Sequence, residues 1–439
     1  MAGGEDGGLA SGGFAGDEMY GWARDLFPIA RSITGPGVRQ TLDYLRGLLP
    51  GLQVGAVPSG TPVYDWTVPD EWLIRDAYLE DEAGRRIVDF RTSNLHVVGY
   101  SQAVDAWLEL DALQPHLYSL PDQPDATPYI TSYYAPTWGF CLPHRLRESL
   151  PDGRYHAVID AEHRAGVLNY GELILPGQTS HEVLLSTNIC HPSLANNELS
   201  GPVVLTALAR WLSTLESRRH TYRILFVPET IGAIAYLSRH AAQMKASTIA
   251  GFVLTCMGDD RAYSYVPSRL GDTLADRVAL HVLASRVGSY RRYTYLDRGG
   301  DERQYCSPGI DLPVCSVMRT RYGSYPEYHT SLDDLSLISP AGLSGSLEVM
   351  RACLQVLEAN RTWTVSVACE PQMGRRGLYP TLSRGPEPSA IELLNVLAYA
   401  DGTRDLVGLA ESAGVDALRC AGMLDVLAAN GLVTAAPDQ

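Results

Sequence analysis

Apolar residues recur along this chain with two different periods. At 183–185, 222–227, 251–255 and 313–318 they form short unbroken runs rich in strand formers, each of which predicts a strand buried on both faces. Between these runs the spacing becomes three and four: Val204, Leu208, Trp211, Leu212 and Leu215 line one helical face, and related patterns predict helices over 202–216, 231–244 and 272–287, with a closing helix at 341–358. Strands alternating with helices of this length predict an α/β domain built on a doubly wound, mostly parallel sheet covered on both faces. Two earlier stretches, from Met19 to Ala30 and over 38–48, predict helices on its outside.

The pattern breaks in three places. Residues 1–16 are glycine-rich and poor in apolar side chains, which predicts a disordered tail. Over 63–172 tyrosine, tryptophan and proline are dense and turn residues separate short segments, which predicts an inserted small β domain serving either as a structural lid or in substrate selection. After a proline-bearing linker at 371–386, three short helical patterns (391–397, 406–412, 416–428) and a strand-like end at Gly431-Leu432-Val433 outline a winged helix over 387–439. That leaves 17–62 and 173–370 for the α/β domain.

Charge decides how the winged helix is read. From residue 387 onward only Arg404 and Arg419 are basic, against eight acidic residues, whereas phosphate contacts need Lys and Arg. A packing or dimerisation role is therefore expected, with a homo-oligomer as one outcome and nucleic acid excluded as partner. The whole chain, at net charge -15, agrees. No apolar run approaches the roughly 20 residues that span a bilayer, and the first residues lack the pattern of a secretion signal, so a cytoplasmic protein without a membrane partner is expected. Eight cysteines without a Cys-x-x-Cys spacing fit buried thiols in a reducing compartment.

Polar residues that a core does not need follow directly on the apolar runs: His191, Asn197 and Glu198, Glu229, Asp259 and Asp260, and His329. In a doubly wound sheet such positions meet at the carboxyl edge, where ligands bind. Two histidines with several carboxylates suit zinc, and a carboxylate left off the metal can take a proton from water. Each residue also has a plain alternative: a histidine beside a strand is commonly a hydrogen-bonded structural residue, Asp333 can be a helix N-cap, and charges at a rim can form ion pairs.

Taken in order, Leu184-Leu185-Ser186-Thr187-Asn188-Ile189-Cys190-His191, Ala195-Asn196-Asn197-Glu198-Leu199-Ser200-Gly201, Pro228-Glu229-Thr230-Ile231-Gly232, Asp301-Glu302-Arg303-Gln304-Tyr305 and Tyr328-His329-Thr330-Ser331-Leu332-Asp333 resemble the zinc aminopeptidase superfamily of the Aeromonas and Streptomyces leucine-aminopeptidase type. Tyr64-Asp65-Trp66, Ser93 to Val97, Thr131 to Tyr134 and Trp138 to Cys141 are similar to a bacterial aminopeptidase-like branch with an inserted β domain and a C-terminal winged helix, and the likeness covers roughly 20–435. The resemblance implies that the first zinc histidine falls on His191, with Asn188 as the other alignment, and the last on His329. The bridging carboxylate falls on Asn197, an amide, with Glu198 beside it; the general base falls on Glu229; further ligand carboxylates fall on Thr230 and near Thr255, with Asp259 a few residues on. Asp333 would support His329.

A two-zinc site would thus have lost several carboxylates. The expectation is one zinc ion held by His191, His329 and Glu198, with Asn197 nearby and Glu229 as base. Arg303 would bind a substrate carboxylate, Asp301 or Glu302 a substrate amine, and Asp259, Tyr305 and Tyr328 would face the substrate. The expected activity is hydrolysis of an amide bond beside a free amino group in a small peptide or aminoacylated metabolite. The rival expectation is a non-catalytic descendant that binds an amino-acid-like ligand or a partner protein.

Overall fold

The computed structural model describes residues 12–379 and 389–436. Its centre is an eight-stranded sheet in the order 53–58, 167–175, 221–227, 182–188, 248–254, 314–318, 264–266, 291–292. The four strands expected from the apolar runs lie side by side and parallel, Glu182–Asn188 between Thr221–Val227 and Thr248–Leu254, with Val314–Met318 next. Both faces are buried, and the period of two sorts the side chains. Val183, Leu185, Phe226 and Leu254 join one core, while Leu184, Leu225, Val227 and Val253 join the other.

On the first face lie the helices Gly12–Leu26, Ser200–Thr214 and Pro340–Ala359; on the second lie Ile231–Ser247 and the insert. Gly201 lets the helix that starts at Ser200 come against the sheet: a Cβ there would stand 2.4 Å from both the Leu254 carbonyl and Thr187 Oγ1. The same device corrects the expected tail. Gly12–Leu26 is helical, and Gly16 permits contact with the Pro340 carbonyl, 2.3 Å from where a Cβ would sit. The rest of the expected tail, 1–11, lies outside the described residues.

The insert is β-rich, with a four-stranded antiparallel sheet in the order 86–89, 71–81, 154–164, 104–109. Its expected end at 172 overlaps the strand Val167–Leu175, which instead belongs to the central sheet, pairing antiparallel with both Gln53–Pro58 and Thr221–Val227. Polar residues such as Asn169 and Glu172 in that strand hid its membership.

The winged helix comprises Ala390–Tyr399, Leu406–Ala413 and Ala417–Ala429 with a three-stranded sheet, 401–405, 362–365, 433–435. The strand Thr362–Val365 lies before the prolines, so the stretch expected to be a linker falls inside this unit; residues 380–388 of it lie outside the described residues. The unit is bolted to the α/β domain by Arg277 to Asp405, by Arg286 to Asp416 at 3.2 Å and by the Ala417 N–H donating to His281 Nε2 at 2.9 Å. Among the described residues no helix is long and apolar enough to cross a membrane.

Candidate active site

The chain leaves Glu182–Asn188, crosses to Thr221–Val227 on one side and then to Thr248–Leu254 on the other, so the loops after these strands converge at a switch point. Each loop, and the one after Val314–Met318, contains a non-glycine residue in the left-handed region: Ser193 (φ 37°), Thr230 (φ 65°), Cys256 (φ 51°) and His329 (φ 56°). Backbone held in this sparsely populated region persists where the surroundings overdetermine it, commonly at functional sites.

His191 and His329, 138 positions apart, have ring centroids 5.3 Å from each other at 87°. Both line a cavity of 410 Å³ together with Cys190, Glu229, Thr230, Arg303 and Gln304, and the insert supplies Trp66, Tyr129, Thr131, Tyr133 and Tyr134 to its wall. The insert is stitched to the His329 loop, Tyr129 N donating to the His329 carbonyl and Ser331 N to the Thr127 carbonyl, each at 2.8 Å. It therefore shapes the cavity directly.

The two imidazoles are held in opposite electrostatic states. His191 Nε2 is 3.2 Å from Glu229 Oε2; its Nδ1 lies 2.9 Å from Asn197 Oδ1 and 3.2 Å from Glu198 Oε2. Burial disfavours its charged form, but the carboxylates of Glu198 and Glu229 oppose that and raise its pKa above the usual value. His329, stacked on Tyr328 at 3.9 Å, is pushed down to about 3 by burial and by the neighbouring His191, and its Nε2 is buried without a hydrogen-bond partner. Glu229 is the one carboxylate in the cavity wall among the described residues; burial raises its pKa, but His191, and then Arg303 at 3.8 Å, bring it below the usual range.

The other candidates take different places. Glu198 is buried away from the cavity wall and accepts from the backbone N–H groups of Cys190 and His191, burial raising its pKa despite His191 and Arg31. Asn197 likewise stands behind His191, accepting at Nδ1. Asp259 is a buried tie between loops, taking hydrogen bonds from Asn196 Nδ2, Thr320 N and Thr320 Oγ1 at 3.1, 2.9 and 2.7 Å. Asp301, fully buried, accepts from Thr230 N at 2.8 Å, and burial, then Glu229, pushes its carboxyl well above the usual range. Glu302 accepts from Gly299 N, Gly300 N, Ser316 and Tyr322, and Tyr305 is buried with its hydroxyl 2.8 Å from Ser186 Oγ. Tyr328 is the platform under the His329 ring. Of the substrate-facing expectations, only Arg303 reaches the cavity wall.

Asp333 caps a helix, but not the one after it in sequence. Its carboxylate accepts from Asn196 N at 2.6 Å and Asn197 N at 3.0 Å, clamping the turn that carries Glu198 to the loop that carries His329. Sequence reasoning missed Arg31 altogether. Buried beneath the site, it donates to the His191 carbonyl at 2.9 Å and to the Leu26 carbonyl at 2.7 Å, and burial lowers its pKa to about 10 although Glu198 opposes this. An arginine directly after a helical pattern carries no local mark of such a role. Tyr129 and Tyr133 were visible only as part of an aromatic-rich insert.

Fold and arrangement define the class: a zinc-aminopeptidase-like α/β fold carrying a winged helix. BSAP, a zinc aminopeptidase from Bacillus subtilis, superposes with a TM-score of 0.57 at 12% identity over 77% of this chain and 94% of that one, a likeness of fold. A crystal structure from Clostridium acetobutylicum, of a protein provisionally described as a peptidase, superposes with a TM-score of 0.91 at 39% identity over 97% of this chain and 98% of that one. A protein of the same organism, provisionally described as a polysaccharide biosynthesis protein with an aminopeptidase-like domain, is 41% identical over 415 residues, covering 94% of this chain and 95% of its own length. Residues 20–360 match the family described as domain of unknown function (DUF4910), and 361–435 match a winged helix-turn-helix family. The chain belongs to the DUF4910 family.

Proposed function

We propose that this protein is a zinc-dependent hydrolase of aminopeptidase type that cleaves the amide bond beside a free amino group in a small peptide or aminoacylated metabolite. The observation that carries the reading is the meeting of His191, His329 and Glu229 in one cavity. Two imidazoles facing one cavity can supply two ligands to a zinc ion, and a carboxylate beside them that stays off the metal can serve as the base. The His329 Nε2 without a partner is the kind of buried atom that a cation would satisfy. His191 and His329 would hold the ion, which would polarise the substrate carbonyl and acidify a water.

The remaining steps fall to the chain's own groups. Asn197 Oδ1 accepts from His191 Nδ1, with Glu198 Oε2 3.2 Å from the same nitrogen, which leaves Nε2 facing the cavity; a carboxylate or amide behind a ligating histidine orients it and raises its basicity. Cys190 stays a thiol, since burial pushes its pKa up to about 12, and Glu198 commits Oε1 to two backbone N–H groups and sets Oε2 3.2 Å from His191 Nδ1, on the side of the ring away from Nε2. We therefore assign Glu198 to hold His191 rather than to bind metal. Glu229, which faces the cavity 3.8 Å from Arg303, takes the proton from the attacking water and returns it to the leaving nitrogen. A second ion is not supported: Asn197 is neutral, and Thr255 donates its hydroxyl to the Asn197 carbonyl at 2.8 Å. The same loss of acids favours the rival reading, a ligand-binding protein without turnover.

Metal content of protein prepared without chelator, with a panel of aminoacyl anilides and the variant Glu229→Gln, tests the proposal. Expected are zinc in both proteins and a fall in kcat of about 10²- to 10⁴-fold in the variant. Turnover unaffected by Glu229→Gln removes the assigned base, and absence of both zinc and turnover in the wild type selects the ligand-binding protein.

A further inference from the structure

The carboxylates that a substrate amine was expected to meet are turned away from the cavity, and a guanidinium is turned into it. In Asp301-Glu302-Arg303-Gln304-Tyr305, the side chains of Asp301, Glu302 and Tyr305 are buried anchors, while Arg303 and Gln304 form the wall. Glu302 takes four donors and Tyr305 reaches Ser186, so the short helix Glu302–Tyr305 is fixed from beneath. Arg303 Nη2 donates to Thr230 Oγ1, and its contact with Glu229 is long at 3.8 Å. With 39% of its side chain exposed, the guanidinium keeps donors free toward the cavity. Glu229 is the only carboxylate in the wall among the described residues.

From this placement of the guanidinium we infer that Arg303 is a specificity residue which binds a carboxylate of the substrate, so that the natural substrate is a short aminoacyl compound ending in a free carboxylate, such as a dipeptide or an aminoacylated amino acid. A planar guanidinium held on an anchored turn matches a carboxylate through two parallel hydrogen bonds. The cavity of 410 Å³, walled in part by the insert's aromatics, is of a size that a small substrate fills. This inference rests on the hydrolase reading above.

The test compares alanyl-alanine with alanyl-alanine amide, which differ only in that carboxylate. With the wild-type protein loaded with zinc, kcat/KM should favour the free acid by about ten- to a hundredfold. Arg303→Gln should abolish the preference by raising KM for the acid alone, any fall in kcat through Glu229 being common to both peptides, and the preference should be partly rescued by Arg303→Lys. If Arg303 only holds Glu229, kcat falls equally for both peptides while the preference for the acid is unchanged, and the inference is overturned. Calorimetric binding of both peptides to Glu229→Gln protein provides a readout that needs no turnover. The acid should bind at least tenfold tighter there, and only while Arg303 is present. Preferential binding without hydrolysis in the wild type would sink the hydrolase reading and keep the carboxylate site; equal affinities, or no binding of either peptide at millimolar concentration, would sink the site.

Discussion

Asp333 offers the sharpest test of how the two histidine loops are held together. Its carboxylate is buried, caps Asn196 and Asn197, accepts from the Tyr325 hydroxyl at 3.1 Å, and has its pKa moved from 3.8 to about 6 because burial outweighs these hydrogen bonds. A carboxyl with a folded-state pKa above its unfolded value binds its proton more tightly in the native chain. The stability it contributes is complete below about pH 3.8, declines as pH rises, and is gone above about pH 6. The whole effect is about 3 kcal/mol, of which about 1.4 kcal/mol falls between pH 5 and pH 7. Asp333→Asn keeps the shape, loses one acceptor at any pH, and does not titrate. The stability deficit of the variant relative to wild type should therefore be about 1.4 kcal/mol larger at pH 5 than at pH 7. With an unfolding entropy near 0.9 kcal/mol/K for a chain of 439 residues, from roughly 2.1 cal/mol/K per residue, this is a change of about 1.5 °C in the Tm difference. Differential scanning fluorimetry of both proteins at the two pH values measures it, other titrations being common to both. Parallel shifts, with a Tm difference independent of pH, would refute the clamp as described.

Zinc should raise Tm, since a ligand at a thousandfold excess over its Kd adds about 4 kcal/mol, and the shift should vanish in His191→Ala and His329→Ala while Cys190→Ala retains it. Because the proton on His191 must leave before metal binds, zinc affinity should rise with pH by up to about tenfold per pH unit through the neutral range, and calorimetry in buffers of different ionisation enthalpy should detect released protons. Gly201→Ala should lower the denaturation midpoint by an amount equivalent to about 1–3 kcal/mol or more, because a methyl group would press on the Leu254 carbonyl; an unchanged midpoint would show that the helix and sheet can separate at no cost.

Hydrophobic periodicity by itself determined the parallel core of this protein. Unbroken apolar runs cannot be exposed on either side, so the strands at 182–188, 221–227, 248–254 and 314–318 and their covering helices were legible from local pattern. The polar residues at their ends, His191, Glu229 and His329, were legible for the same reason: nothing apolar demands them there. Local pattern could not reveal Val167–Leu175 or Thr362–Val365 as members of their sheets, since each is placed by the two strands it pairs with and not by its own residues.

Only the tertiary structure decided the direction in which each polar side chain faces. Glu198 and Glu229 are equally good ligands on paper, yet one is spent on backbone N–H groups and the other lines the cavity. Asp301, Glu302 and Arg303 are neighbours in sequence, but on a single helical turn they point to different environments, and the choice is set by partners distant in the chain, Thr230 for Asp301 and Arg303, Tyr322 and Ser316 for Glu302. Periodicity records whether a residue is buried; the chemistry of a site depends on which long-range partner has already claimed its hydrogen bonds, and that information exists only once the chain has folded.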